Sequence, residues 1–191
     1  MQQQRITIVG AGIIGLSTAY ALLKQGMKHV TVLEQAAVGH QRGTSCGLSR
    51  LLRFEYGSDP FYSEMVQLSL ERWQMLEYTS QQRLYTPTGL LVLGNEDDSF
   101  TRASYRLLQD LGLPTERLTQ QDCAQHFPQF NIQSYNFLTY NSNAGMLHAS
   151  VCLHALKELI LDLGGTIYEN SSVTHITHDK PQRPISLHLA S

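Results

Sequence analysis

Glycines at positions 10, 12 and 15, together with a carboxylate at Glu34, have the residue types and the spacing that hold a dinucleotide. Gly10 lets the chain turn sharply, Gly12 removes the side chain that would obstruct a pyrophosphate at a helix N-terminus, and Gly15 lets that helix lie close on a sheet. The exposed N–H groups and the positive end of the helix dipole then attract the phosphates. Glu34 follows Gly15 by nineteen residues, where its oxygens can accept from the adenosine ribose hydroxyls. A carboxylate there repels a 2′-phosphate, which makes NADP the least suitable dinucleotide.

These residues act only if the right elements carry them. Arg5 to Val9 reads as a strand, the apolar pattern up to Gly26 as a helix, and Val30 to Leu33 as a second strand that delivers Glu34. Strand, glycine turn, helix, strand and acid thus follow one another in about thirty residues, the context in which the glycine triplet carries meaning. The uncharged run Ile6 to Leu23, with Ala19-Tyr20-Ala21 as a formal cleavage site, also raises secretion or membrane insertion. Its glycines and the polar Ser17, Thr18 and Tyr20 make it a poor hydrophobic segment for either purpose.

The 191 residues are 42% apolar and 16% charged, enough to bury a sizeable core in one domain or somewhat more. A net charge of −2 offers no basic face for nucleic acid, so phosphate must be held by backbone rather than by a field of lysine and arginine. The cysteines, Cys46, Cys123 and Cys152, are odd in number and lack metal-ligand or C-x-x-C spacing, which points to a reducing, cytoplasmic setting. The histidines are scattered, with His148/His154 and His175/His178 at surface or strand positions, and no metal site is expected.

Beyond Glu34, the segment from Gln35 to Tyr56 is rich in small residues and shows little periodicity before Leu51-Leu52, as expected of a loop lying against a ligand. Asp59-Pro60 starts a helix whose stripe of Tyr62, Met65, Val66, Leu70 and Trp73 reads as core packing. Leu84 to Gly94 is strand-like but broken by Pro87, and Phe100 to Leu111 is an amphipathic helix closed by Gly112. Thr119 to Asp122 starts a short capped helix that Pro128 stops, Tyr135 to Tyr140 alternates like a strand, and Asn141 to Gly145 makes a turn. Val151 to Leu163 is a helix ending at Gly164-Gly165, Thr166 to Tyr168 a short strand, and Val173 to Ile176 and Ile185 to Leu189 successive strands of a meander. The pattern is βαβ, a mixed insert, then a return to αβ.

At Gly43-Thr-Ser-Cys-Gly-Leu-Ser-Arg50-Leu-Leu-Arg53 and Phe54-Glu-Tyr56, taken with Val9 to Leu16 and Val32-Leu-Glu34, the chain resembles the D-amino-acid-oxidase-like FAD-dependent oxidoreductases. Within them it is similar to the monomeric sarcosine oxidase, N-methyltryptophan oxidase and pipecolate oxidase branch. Thr86-x-Thr88-Gly-Leu-Leu-Val-Leu-Gly94 and Asn143-Ala-Gly-Met-Leu-His148 add to the likeness, which runs over nearly the whole chain but only about half of a typical member. The resemblance implies an α/β fold, a Rossmann-like FAD-binding βαβ domain with an α+β substrate-domain insert. It places residues 1–84 in the FAD-binding domain, 85–145 in the substrate domain and 146–191 back in the FAD-binding domain, reading as the first half of a longer architecture.

Residue by residue, the resemblance puts Gly10, Gly12, Ile13, Ile14 and Gly15 under the FAD pyrophosphate and Glu34 and Gln35 at the adenosine ribose. It puts Gly43, Thr44 and Ser45 on the flavin side, Arg50 and Leu51 against the flavin ring, and the backbone of Val173 near the adenine. Arg53 matches an arginine that pairs with the carboxylate of an amino-acid substrate, a role suited to a planar guanidinium. The alternative for both arginines is a salt bridge to Glu55 or Glu64. Cys46 departs from the branch, which has histidine at that place beside the flavin.

The activity implied is oxidation of the C–N bond of a small amine or amino acid, hydride passing from carbon to flavin N5, with H2O2 formed if O2 reoxidises the flavin. Arg50 would place positive charge by the reduced flavin. Two alternatives stand beside it: a truncated or split, non-catalytic chain retaining only part of the dinucleotide site, with the missing C-terminal half on a partner chain in the split case, and an NAD-binding dehydrogenase domain. No nucleic-acid or membrane partner is expected.

Overall fold

The computed structural model describes residues 4–178 and 185–190. Strand β1 (Arg5–Val9) leads through the glycine turn into α1 (Ile13–Lys24) and back to β2 (His29–Leu33), which pairs parallel with β1 in register Arg5 to His29 through Val9 to Leu33. A third parallel strand, β9 (Thr166–Tyr168), joins the other edge of β2, giving the order β1-β2-β9. Helix α5 (Ala149–Asp162) precedes β9 and packs with α1. Leu16, Ala19 and Leu23 of α1 and Cys152, Leu153, Leu156 and Ile160 of α5 are buried, as are Val30 and Val32 of β2. This is the parallel α/β arrangement expected of the Rossmann-like part.

Packing groups residues up to 48 with those from 149 onward in one unit, and Ser49–His148 in a second. The first unit also holds an antiparallel pair, β10 (Val173–Thr177) with β11 (Ser186–Leu189). In the second, β3 (Arg50–Leu52), β8 (Gly145–Leu147) and β4 (Tyr85–Thr86) form one antiparallel sheet, and β5 (Leu90–Gly94), β7 (Phe137–Asn141) and β6 (Glu116–Leu118) another. Helices α2 (Pro60–Ser80), α3 (Ser99–Asp110) and α4 (Gln120–His126) complete it, an α+β insert.

The division at 48 lies earlier than the boundary at 84 suggested by sequence. The reason is pairing: β3 is hydrogen-bonded to β8, and α2 packs through Val66, Leu70 and Trp73 on a core of Leu52, Phe54, Tyr85, Leu108 and Ala144. The stripe assigned to α2 is therefore only partly core. Met65 lies one residue, or roughly 100° of rotation, from Val66 and is exposed. Tyr62, also exposed, stacks on Tyr56 with ring centroids 5.6 Å apart.

The caps are local and strong. Asp59 accepts from the Phe61 N–H ahead of Pro60, and Asp98 accepts from Phe100 and Thr101 at the start of α3. Thr119 and Asp122 form the reciprocal capping box read from their spacing. Hydrogen bonds from Thr101 and Thr119 hold the carboxyls of Asp98 and Asp122 below the usual carboxylate range. None of the described helices is long and apolar enough to cross a membrane, and no described cluster of histidine, cysteine or acidic side chains could hold a metal ion.

Candidate functional site

Gly10 has φ of +101°, and its N–H donates to the Leu33 carbonyl at 2.7 Å, tying the end of β1 to the end of β2. A Cβ on Gly15 would overlap the backbone carbonyl of Gly10, so the helix leaves the turn at a closeness only glycine allows. Gly12, the residue before α1, has no side chain to cap the helix. The cap arrives from the loop instead: Ser45 Oγ accepts from the Ile13 N–H at 3.0 Å. A Cβ on Gly12 would stand 3.2 Å from that same hydroxyl.

Glu34 is buried, and its carboxylate reaches back to the turn. The Ala11 N–H donates to Oε2 at 2.7 Å and the Ala36 N–H to Oε1 at 3.1 Å. His40 Nε2 also lies 3.1 Å from Oε1. A carboxylate only accepts, so the ring presents N–H at Nε2, in keeping with Nδ1 accepting from the Arg42 N–H at 3.1 Å. Roughly four lone-pair positions are available on a carboxylate, and three are engaged here, which leaves one for a ligand hydroxyl.

These residues enclose a pocket of about 180 Å³ lined by Ala11, Gly12, Glu34, Gln35, Gly39, His40, Gly43, Thr44, Ser45, Cys46 and Leu153. Whole small-molecule pockets run to roughly 300–1,000 Å³, so this one is sized for a section of a dinucleotide, such as a ribose with its neighbouring phosphate. No lysine or arginine lines it, consistent with phosphate recognition by backbone and hydroxyl groups.

The fold brings together Gly12, Glu34, Gln35, Gly43, Thr44 and Ser45 from the sequence-derived set. Gly10, Ile13 and Gly15 shape the turn without lining the cavity, and Ile14 is 79% exposed on the first turn of α1. Val173 begins β10 and does not line it either. Ala11, Gly39, His40, Cys46 and Leu153 are additions to that set. Leu153 carries no local signal, because it is an apolar residue of a helix more than a hundred positions from the glycine turn. His40 was legible only as part of a small-residue loop.

Arg50, Leu51 and Arg53 belong to the second unit. Arg50, exposed at the start of β3, donates from Nη1 to the Ser49 carbonyl at 2.8 Å, and Leu51 is exposed. Arg53 is half-buried with its guanidinium carbon 5.0 Å from the centre of the Tyr56 ring. Among the described residues it makes no salt bridge, so the expected alternative with Glu55 or Glu64 is not formed. Glu55 is turned inward: its buried carboxylate accepts from the Phe54 N–H at 3.0 Å and from Asn141 Nδ2 at 3.2 Å. Ser63 Oγ donates to the Phe54 carbonyl and the Gly57 N–H donates to Ser104 Oγ, each at 2.8 Å. A buried polar network thus fixes the backbone that presents Arg53.

A family model for FAD dependent oxidoreductases, DAO, matches residues 5–187, almost all of the chain. The chain belongs to the DAO family of FAD-dependent oxidoreductases. It is 33% identical over 180 residues to the peroxisomal sarcosine oxidase of Mus musculus, covering 94% of this chain and 45% of that protein. It is 28% identical over 170 residues to the monomeric sarcosine oxidase of Bacillus sp. (strain B-0618), covering 88% and 43%. Among solved structures, NikD, an unusual amino acid oxidase essential for nikkomycin biosynthesis, superposes with a TM-score of 0.81 at 23% identity, covering 96% of this chain and 47% of that one. The L-proline dehydrogenase of P. horikoshii gives a TM-score of 0.79 at 22% identity, covering 92% and 46%. At these identities the superpositions establish the fold of this DAO-family chain. It spans less than half the length of these relatives.

Proposed function

We propose that this chain supplies the dinucleotide-binding part of an FAD-dependent oxidoreductase acting on a small amine or amino acid. The observation that carries the reading is the convergence of the glycine turn, Glu34 and the Gly43 to Ser45 segment on one pocket inside the first unit. FAD, when bound, supplies a two-electron acceptor for oxidation of a C–N bond. Glu34 retains an acceptor position for a ribose hydroxyl, and the Ile13 N–H and Ser45 hydroxyl stand at the helix N-terminus where a phosphate is favoured. The family pattern assigns Gly10, Gly12, Ile13, Ile14 and Gly15 to the pyrophosphate, Arg50 and Leu51 to the flavin ring and Val173 to the adenine.

Arg53 is the residue we assign to the substrate carboxylate. It is half-buried, stacked on Tyr56 and without an acidic partner among the described residues, so an incoming carboxylate would be its first strong one. Membership of the DAO family favours FAD over NAD, and the sarcosine and amino-acid oxidases among its relatives favour an amine carrying a carboxylate. O2 is the acceptor this reading assigns to reoxidation, with H2O2 as the product.

The test is the visible spectrum of the purified chain after mixing with FAD and gel filtration. A retained flavin band is expected, and a colourless chain overturns the reading. Anaerobic addition of sarcosine or L-proline then separates turnover from a second reading, binding without catalysis by these 191 residues. Loss of the flavin band on amine addition supports turnover, and an unchanged band supports binding alone.

A further inference from the structure

The segment that presents Glu34 to the pocket is tied along its far side to the connection between β9 and β10. The Glu34 N–H donates to the Tyr168 carbonyl at 2.9 Å, and the Glu34 carbonyl accepts from the Ser171 N–H at 2.7 Å. Further along, the Asn170 N–H donates to the Ala36 carbonyl at 3.2 Å. These ties are backbone to backbone, and many sequences would make them. The next is not: the Val38 N–H donates to Glu169 Oε1 at 2.6 Å, across 131 positions of sequence. Glu169 Oε2 in turn receives Lys157 Nζ, from α5, at 2.7 Å.

Val38 is buried, so its N–H would be costly to leave without an acceptor. No backbone carbonyl takes that role, and the carboxylate does. Beyond Val38 the chain turns at Gly39, φ +81°, and places His40 against Glu34. Neither Glu169 nor Lys157 lines the pocket. Their effect on it runs through Val38 into the Gly39-His40 turn and so to the Glu34 carboxylate.

We propose that Glu169, held by Lys157, is a positioning residue of the dinucleotide pocket, fixing through Val38 the loop from which His40 and Glu34 face the ligand. This rests on reading the pocket as the FAD site. The experiment compares the full chain with Glu169→Ala, Glu169→Gln and Lys157→Met by two readouts. One is FAD affinity from flavin fluorescence. The other is backbone hydrogen exchange, without cofactor, in peptides spanning residues 36–42 and in those from α1 and α5.

Glu169→Ala should weaken FAD binding on the order of tenfold, the size of one charge-assisted hydrogen bond. Exchange in 36–42 should quicken while α1 and α5 keep their protection. Glu169→Gln should recover most of both, because its amide oxygen still accepts from the Val38 N–H, and Lys157→Met should fall between. Unchanged FAD affinity in Glu169→Ala, or exchange that quickens equally in α1 and α5, overturns the proposal. If the unsubstituted chain takes up no FAD, the reading of the pocket fails separately, and the exchange comparison decides the positioning by itself. Should Glu169→Ala not fold, Lys157→Met carries the same comparison.

Discussion

Gly12 and Gly15 belong to one motif but tolerate a side chain differently, because different atoms stand in the way. A Cβ on Gly15 would run into the Gly10 carbonyl, which is backbone at a turn already locked by the bond from Gly10 N–H to Leu33. At Gly12 the nearest atom is a serine hydroxyl that can rotate or shift. Gly15→Ala should therefore cost about 1–3 kcal/mol of stability, as overpacking does. Gly12→Ala should cost less in urea unfolding yet displace Ser45 from the Ile13 N–H and so weaken flavin retention. Equal losses of stability in the two variants would contradict this reading. At the same scale, the residue type of Glu34 pointed to ribose recognition, but its further task did not show in the sequence. Most of its hydrogen-bonding capacity goes to the Ala11 and Ala36 N–H groups and to His40; the Ala36 and His40 contacts are local, but the one to Ala11 exists only once β2 lies beside β1.

Elements that rest on neighbouring residues were legible in advance. The capping box of Thr119 and Asp122, the Asp-Pro start of α2 and the strand break at Pro87 all depend on atoms a few positions apart. Helix α1 is the contrary case, since its cap is Ser45, which lies 32 positions away. Ser45→Ala should cost about 0.5–2 kcal/mol, the range for losing a capping side chain. Ser45→Thr should restore much of it, as judged by urea midpoints with and without FAD.

The connection after β9 makes a prediction about acid. Hydrogen bonding from Lys157 and then from the Val38 N–H holds the Glu169 carboxyl below its ordinary value of 4.5, with the charges of Lys157 and His154 acting in the same direction and partial burial against them. A lowered value means the folded chain binds that proton less readily than the unfolded one. The contribution is present in full above the ordinary value and is lost as pH falls through the folded one. Urea midpoints measured from about pH 6 downward should therefore fall more steeply in the natural chain than in Glu169→Gln, and parallel slopes would remove Glu169 from the account.

For the molecule as a whole, each unit has its own buried core, and the first matters most directly to the pocket. Ile160 is fully buried on α5, where its side chain and that of Leu23 crowd Gly165, and the same helix delivers Leu153 to the pocket lining. Ile160→Ala should cost about 2–5 kcal/mol, read by chemical unfolding, and should reduce flavin retention along with it. The sequence by itself determined the βαβ unit, the family, the glycine turn and the order of elements, because periodicity, caps and turns are written in residues close together in the chain. Through the likeness of a contiguous motif it also singled out the Gly43 to Ser45 segment, which lines the pocket. Tertiary structure alone decided that β3 and α2 pack with the antiparallel sheets, that Glu55 turns inward to Asn141 and away from Arg53, and that Glu169 holds Val38. Each of those outcomes is a pairing between distant segments, chosen by which apolar surfaces and buried polar groups find partners once the chain has closed, and local spacing carries no record of that choice.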